Sequence, residues 1–133
     1  MQVREMINTH PGVKGSTVDK LLQCIEECYS CAQTCTACAD ACLAEEMVAQ
    51  MRQCIRLNLD CADLCAATGA MASRPTGTNI EVRCAAIQAC AQACHACGQQ
   101  CERHAGEHKH CEICAEACTR SAEACHAALA EVH

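Results

Sequence analysis

Thiols recur along this chain at steps of three and four residues. From Cys24 they fall at Cys28, Cys31, Cys35, Cys38 and Cys42, positions that share one face of an α-helix. Three later stripes follow: Cys54, Cys61 and Cys65; Cys84, Cys90, Cys94, Cys97 and Cys101; and Cys111, Cys114, Cys118 and Cys125. Seven pairs stand four residues apart: Cys24/Cys28, Cys31/Cys35, Cys38/Cys42, Cys61/Cys65, Cys90/Cys94, Cys97/Cys101 and Cys114/Cys118. On a helix such residues stand one above the other, with Cβ atoms about 5–6 Å apart. Two sulfurs so placed can pinch one ion in near-linear coordination.

Soft thiolates select Cu(I), zinc or iron–sulfur clusters. Tetrahedral zinc sites usually take CxxC knuckles on turns. The CxxC spacings here, Cys28/Cys31, Cys35/Cys38, Cys94/Cys97 and Cys111/Cys114, lie inside the helical stripes and read as links between successive pairs. Iron–sulfur ligation draws on compact loops, which the chain lacks. Buried thiolates are costly unless neutralised. One Cu(I) per thiolate gives a neutral core, with each sulfur bridging two ions, so the 18 cysteines set a limit on the order of 18 Cu(I) if digonal coordination dominates. Neutrality stops zinc at about nine, and four thiolates per ion at four or five.

The elements that must position these thiols follow from the breakers. Pro11, Gly12 and Gly15 set off residues 1–15 as a short N-terminal segment with a turn or two of helix, leaving residues 16–133 as one bundle. Ser16 or Thr17 can cap the first long helix, which runs to about Ala44. A second helix is expected from about Glu46 to Ala72, with Met47, Met51, Cys54, Asn58, Cys61, Cys65 and Thr68 on its seam. Ser73 to Gly77 is a loop. A third helix runs from about Asn79 to Arg103, and after Gly106 a fourth from about Glu107 to Glu131, with Ser121 among its cysteines. Short connections make neighbours antiparallel, so the predicted fold is all-α: an up-down-up-down four-helix bundle with a cysteine-lined core.

Folding the stripes together puts Cys38 level with Cys54, Cys35 with Asn58, Cys31 with Cys61 and Cys28 with Cys65. Around the last turn Cys101 faces Cys111, Cys97 faces Cys114 and Cys94 faces Cys118. One end of the tube is expected to be a hydrophobic plug of Leu21, Leu22, Ile80, Leu129 and Val132. The other gathers Met47, Met51, His104, His108 and His110, donors compatible with copper, and reads as the mouth. His95 and His126 lie off the stripe and are expected at the surface.

Composition excludes other classes. The apolar fraction of 51% comes mostly from 25 alanines and the cysteines, with Tyr29 the only aromatic residue, so cysteine must serve as the small core hydrophobe. A net charge of −6 with no basic patch excludes nucleic acid as a partner. No stretch approaches a membrane span, and the first residues carry no export signal, so the expected compartment is the cytoplasm. There, dense cysteine points to metal or redox work and not to disulfide staples. No carboxylate pair or Ser-His-Asp arrangement suggests an enzyme. Thiol redox exchange would need an exposed thiol of low pKa, whereas these face inward.

Four alanine-rich helices lined with CxxxC pairs resemble the bacterial copper storage proteins, and the lack of an export signal resembles their cytosolic branch. The likeness runs from about Thr17 to the C-terminus. It implies storage of many Cu(I) ions, coordination dominated by thiolates, and a homo-oligomer, usually a tetramer. Carried over by position, it makes all 18 cysteines ligands. The second helix departs from a pure sulfur stripe, so Met47, Met51 and Asn58 are candidate ligands or seam fillers. His104 and His110 are candidate ligands at the mouth, where copper would pass from a donor protein or to an acceptor. A zinc or mixed soft-metal buffer is the first alternative, a thiol redox protein the second.

Overall fold

Alanine is the best helix former, and its spread between the cysteines lets every stripe close into a helix. The computed structural model describes residues 2–13, 19–76 and 79–132. In it α1 spans Val3–Asn8, α2 Asp19–Leu43, α3 Arg52–Ala72, α4 Ile80–His104 and α5 Lys109–Val132, with a 3₁₀ turn at Val48–Met51 before α3. The 25 residues of α2 make a rod of about 37 Å. In the bundle α2 packs on α3 and α5, and α4 packs on α3 and α5, while across the diagonals of the described helices only side chains meet on the axis, as Cys28 does Cys90 at 3.7 Å. That is a square of four helices around one axis. None of the described helices is long and apolar enough to cross a membrane.

The sulfur core is continuous. Cysteines from all four long helices join Met51, Ile87, Ala91, Ala115 and Ala128 in one buried cluster. A second, smaller cluster lies outside the tube: Ile7 and Val13 from the N-terminal segment cover Leu22, Ile25 and Ala72. Arg4 of α1 clamps the contact by donating to Glu26 of α2 at 2.7 Å. Tyr29 closes over Gly69, where a Cβ would sit 3.1 Å from the ring, so glycine there lets the ring lie flat on α3.

Helix limits agree with the sequence reading to within a residue or two at most ends, and α2 is described from Asp19, so the Ser16 or Thr17 cap and the boundary at residue 15 lie outside the described residues. The second helix differs more. The chain turns at residues 44–47 and makes a 3₁₀ turn before α3 begins at Arg52. Met47 consequently leaves the seam and is 49% exposed, whereas Met51 is buried. The expected plug also differs. Ile80 is the first residue of α4 and is 53% exposed, Leu22 belongs to the outer cluster, and Leu21 packs only partly against it. The side chain of Val132 is outside the description. The far end of the tube is instead lined by Ile87, Ala128 and the partly buried Leu129.

Candidate metal centre

All 18 cysteines are buried and unbridged. Because each stripe faces the axis, sulfurs from different helices meet in a ladder. At its deep end Cys24 Sγ lies 3.7 Å from Cys125 and 4.0 Å from Cys28, and Cys28 lies 3.7 Å from Cys90. Cys65 is 3.5 Å from both Cys90 and Cys94. Cys61 reaches Cys94 at 3.6 Å and Cys31 at 3.9 Å, and Cys31 reaches Cys118 at 3.8 Å. Nearer the histidines, Cys35 is 3.7 Å from Cys114 and from Cys118, and Cys54 is 3.7 Å from Cys101. A Cβ on Gly98 would lie 3.2 Å from that of Cys118, so this glycine lets α4 approach the ladder closely.

Groups of four sulfurs lie within 4.8 Å of one another, among them Cys31/Cys61/Cys65/Cys94, Cys31/Cys35/Cys61/Cys118 and Cys35/Cys97/Cys114/Cys118. They overlap, sharing Cys31, Cys35, Cys61 and Cys118. A sulfur shared between neighbouring groups is placed to bridge two ions, which suits a chain of Cu(I) thiolates better than a row of separate closed sites.

Two polar side chains interrupt the sulfur. Asn58 is buried, donates through Nδ2 to Cys54 at 3.6 Å, and accepts at Oδ1 from Cys97, Cys114 and Cys101 at 3.0, 3.1 and 3.5 Å. Both polar atoms of the amide therefore have partners among the four thiols around it. Ser121 Oγ accepts from Cys94 at 3.3 Å and lies 3.9 Å from Cys28 and Cys65.

Without metal the thiols hold one another's protons. Its hydrogen bonds with Cys125 and then Cys28 draw the Cys24 thiol down to about 4, and bonds led by that with Cys101 draw Cys54 to about 4 and Cys38 to about 6. Their partners move the opposite way: Cys125 is pushed up chiefly by its bond with Cys24, and Cys101 by its bonds with Cys114 and Cys38. A thiolate is thus stabilised only beside a neighbour that keeps its proton. A soft cation can replace that shared proton.

At the other end of α2 the donors change. His110 Nδ1 lies 3.4 Å from Cys38 Sγ and 3.6 Å from Cys111 Sγ, and Cys38, Cys42, Cys111 and His110 form a further group with ligand atoms within 4.8 Å. Glu45 Oε2 accepts from His110 Nε2 at 3.0 Å and from His108 Nδ1 at 2.6 Å. Burial lowers the basicity of His110, but its bonds to Cys38 and Glu45 outweigh that and the net shift is upward. The Glu45 carboxyl is held below its usual range, chiefly by the His110 bond.

The expected mouth is therefore only partly assembled. His110 is brought to the thiols. His104 is not: its ring lies 6.5 Å from that of His108, and it makes no hydrogen bond to a thiol among the described residues. Met47 is exposed and Met51 is buried in the core cluster. Cys84 is buried but stands outside both clusters and has no thiol hydrogen bond among the described residues. The expected levels Cys31/Cys61 meet, whereas Cys94 meets Cys61, Cys65 and Ser121 instead of Cys118, and Cys118 meets Cys31 and Cys35. Sulfurs reaching the axis interdigitate with those of all four helices, which a comparison of neighbours two at a time does not capture. His95 and His126 are exposed, as expected. Glu45 escaped the sequence reading altogether, because a carboxylate just after a helix looks like a solvated surface group until the fold sets it against two histidines.

Comparison with known proteins identifies the arrangement. The profile of the copper storage protein family matches residues 17–130. A copper storage protein from Streptomyces lividans, solved with 10 copper equivalents, is 51% identical with a TM-score of 0.92, over 96% of this chain and 98% of that one. The Streptomyces lividans protein is described as cytosolic in a structure holding five coppers, which is 55% identical with a TM-score of 0.83 over 84% of this chain and 93% of that one. The Cu(I)-bound copper storage protein BsCsp3 is 36% identical with a TM-score of 0.66, over 77% of this chain and 92% of that one. An uncharacterized cysteine-rich protein of Bacillus subtilis (strain 168), YhjQ, is 38% identical over 102 residues, 77% of this chain and 89% of its own length.

Proposed function

Because this chain belongs to the copper storage protein family, we propose that it stores Cu(I) in the cytosol, holding on the order of one ion per cysteine by bridging thiolates. The observation that carries the reading is the overlap of the sulfur tetrads, in which Cys31, Cys35, Cys61 and Cys118 each serve two groups. All 18 cysteines are the proposed ligand set. Cys84 is its outlying member, and Asn58 and Met51 stand beside it as seam residues within reach of the metal core. His110 is the proposed exchange ligand at the mouth; His104 and Met47 lie further out along the same approach. The cytosolic assignment is supported by the relative described as cytosolic.

The chain acts as a container and not as a catalyst: its chemistry is ligand exchange, with a thiol proton leaving as each Cu(I) arrives. The ion comes from a donor protein and leaves to an acceptor by the same exchange. The proposed assembly is a homo-oligomer, a tetramer in keeping with the family, and it is supported by exposed apolar side chains on the outer faces, including Leu59 at 46% and Ile113 at 47%. Saturating reduced apoprotein in parallel with Cu(I) and Zn(II) tests the metal. Zinc should stop at half the Cu(I) count or below, since neutrality allows half as many divalent ions. Equal counts would make the protein a zinc buffer.

A further inference from the structure

Four ligand atoms at the mouth differ in kind from those of the ladder. Cys38 and Cys42 project from the last turns of α2, one turn apart, and His110 and Cys111 are adjacent at the start of α5. Their Sγ atoms and the His110 Nδ1 atom all lie within 4.8 Å of one another, with Nδ1 at 3.4 Å from Cys38 and 3.6 Å from Cys111. The two nitrogen–sulfur separations are close to the edges of a tetrahedron with bonds of about 2.3 Å to sulfur and about 2.0 Å to nitrogen. Three thiolates and one imidazole are also a familiar closed zinc donor set, and two ligands one helical turn apart recur in zinc sites.

The imidazole is held for this task. Its Nε2–H donates to Glu45 at 3.0 Å, which leaves the Nδ1 lone pair facing the sulfurs, and a second donation from His108 Nδ1 at 2.6 Å fixes the carboxylate. A carboxylate behind a metal-bound histidine sets its tautomer and raises its basicity. Charge separates this site from the ladder. A divalent ion with three thiolates leaves one negative charge at a mouth where the His110 side chain is 27% exposed; the same ion in an all-sulfur tetrad leaves two inside a buried core, at greater cost.

We propose that Cys38, Cys42, Cys111 and His110, with Glu45 as the positioning residue, form a discrete tetrahedral site for one divalent zinc ion at the mouth of the copper tube. Zinc there sits across the approach to the ladder. Arriving Cu(I), the softer ion, displaces it: two Cu(I) take the place of one Zn(II), which keeps the net charge of the three thiolates and their metal at −1 and releases one zinc per site.

Cobalt(II) reports the geometry directly, because a tetrahedral cobalt thiolate shows ligand-field bands in the red. Reduced apoprotein titrated with Co(II) should develop these bands with a break at one equivalent, and one equivalent of Zn(II) should abolish them. His110→Ala should remove the break, and Glu45→Gln should weaken cobalt binding by about 10–100-fold while keeping the band shape. His126→Ala, on the outer face, should change nothing. Helicity by circular dichroism checks that each variant is folded. Bands that grow over several equivalents without a break, or a titration unchanged by His110→Ala in a folded variant, would overturn the proposal. Counting Cu(I) on the same samples separates this outcome from failure of the storage reading, since a protein without the zinc site still fills its ladder.

Discussion

Cys38 and His110 meet at 3.4 Å, whereas His104 stays beyond the thiols, so the two histidines at the mouth are not equivalent. Cu(I) moves between proteins by ligand exchange, and the first donor to touch it governs the rate. His110→Ala should slow loading from a Cu(I) chelator several-fold, measured by stopped flow, and leave the final count nearly unchanged because the thiols remain. His104→Ala should have a much smaller effect. The thiols themselves were legible in the sequence because a three-four step leaves them one direction to face. Asn58 was legible as a seam residue but not as the acceptor for Cys97, Cys101 and Cys114, which needs sulfurs from two other helices. Glu45 and its two histidines are separated by more than 60 residues, and no local pattern connects them.

The four long helices could be read from the chain because their apolar stripe is made of one residue type and their breakers are few. Two elements were hidden. The 3₁₀ turn at Val48–Met51 has the same three-four pattern as the helix that follows it, so only the bend that brings Glu45 to the mouth distinguishes it. The N-terminal α1 looks like a detached turn in sequence, yet Ile7 is 5% exposed and packs on Leu22 and Ile25. That packing stands apart from the sulfur cluster, which makes it separable. Ile7→Ala should destabilise the reduced apoprotein by about 2–4 kcal/mol, as lost transfer energy plus a cavity, seen as a lower urea midpoint. Copper capacity should not change, since no ladder thiol lies in the outer cluster. A fall in capacity would tie α1 to the metal core.

As a whole molecule the bundle is a preformed container. Neutral thiols behave as small hydrophobes, alanine favours helix without metal, and Ile25, Ile87 and Leu22 add conventional burial worth about 1.5–3 kcal/mol each. Circular dichroism of the reduced, metal-free protein should therefore show a mostly helical chain; a coil that becomes helical only on metal addition would place this fold with proteins whose metal supplies the folding energy. Within the container, capacity should follow sulfur. Replacing Cys31 and Cys35 with serine removes two sulfurs that bridge neighbouring tetrads, and should lower the saturating count by a few ions without unfolding the helices. The central claim is a continuous thiolate ladder neutralised by monovalent copper, and the direct test is the saturating Cu(I) count of reduced apoprotein against a competing chelator. The ladder predicts more than about ten ions per chain, approaching one per thiolate. A count that saturates near four would mean a single small cluster among inert cysteines, and would contradict it.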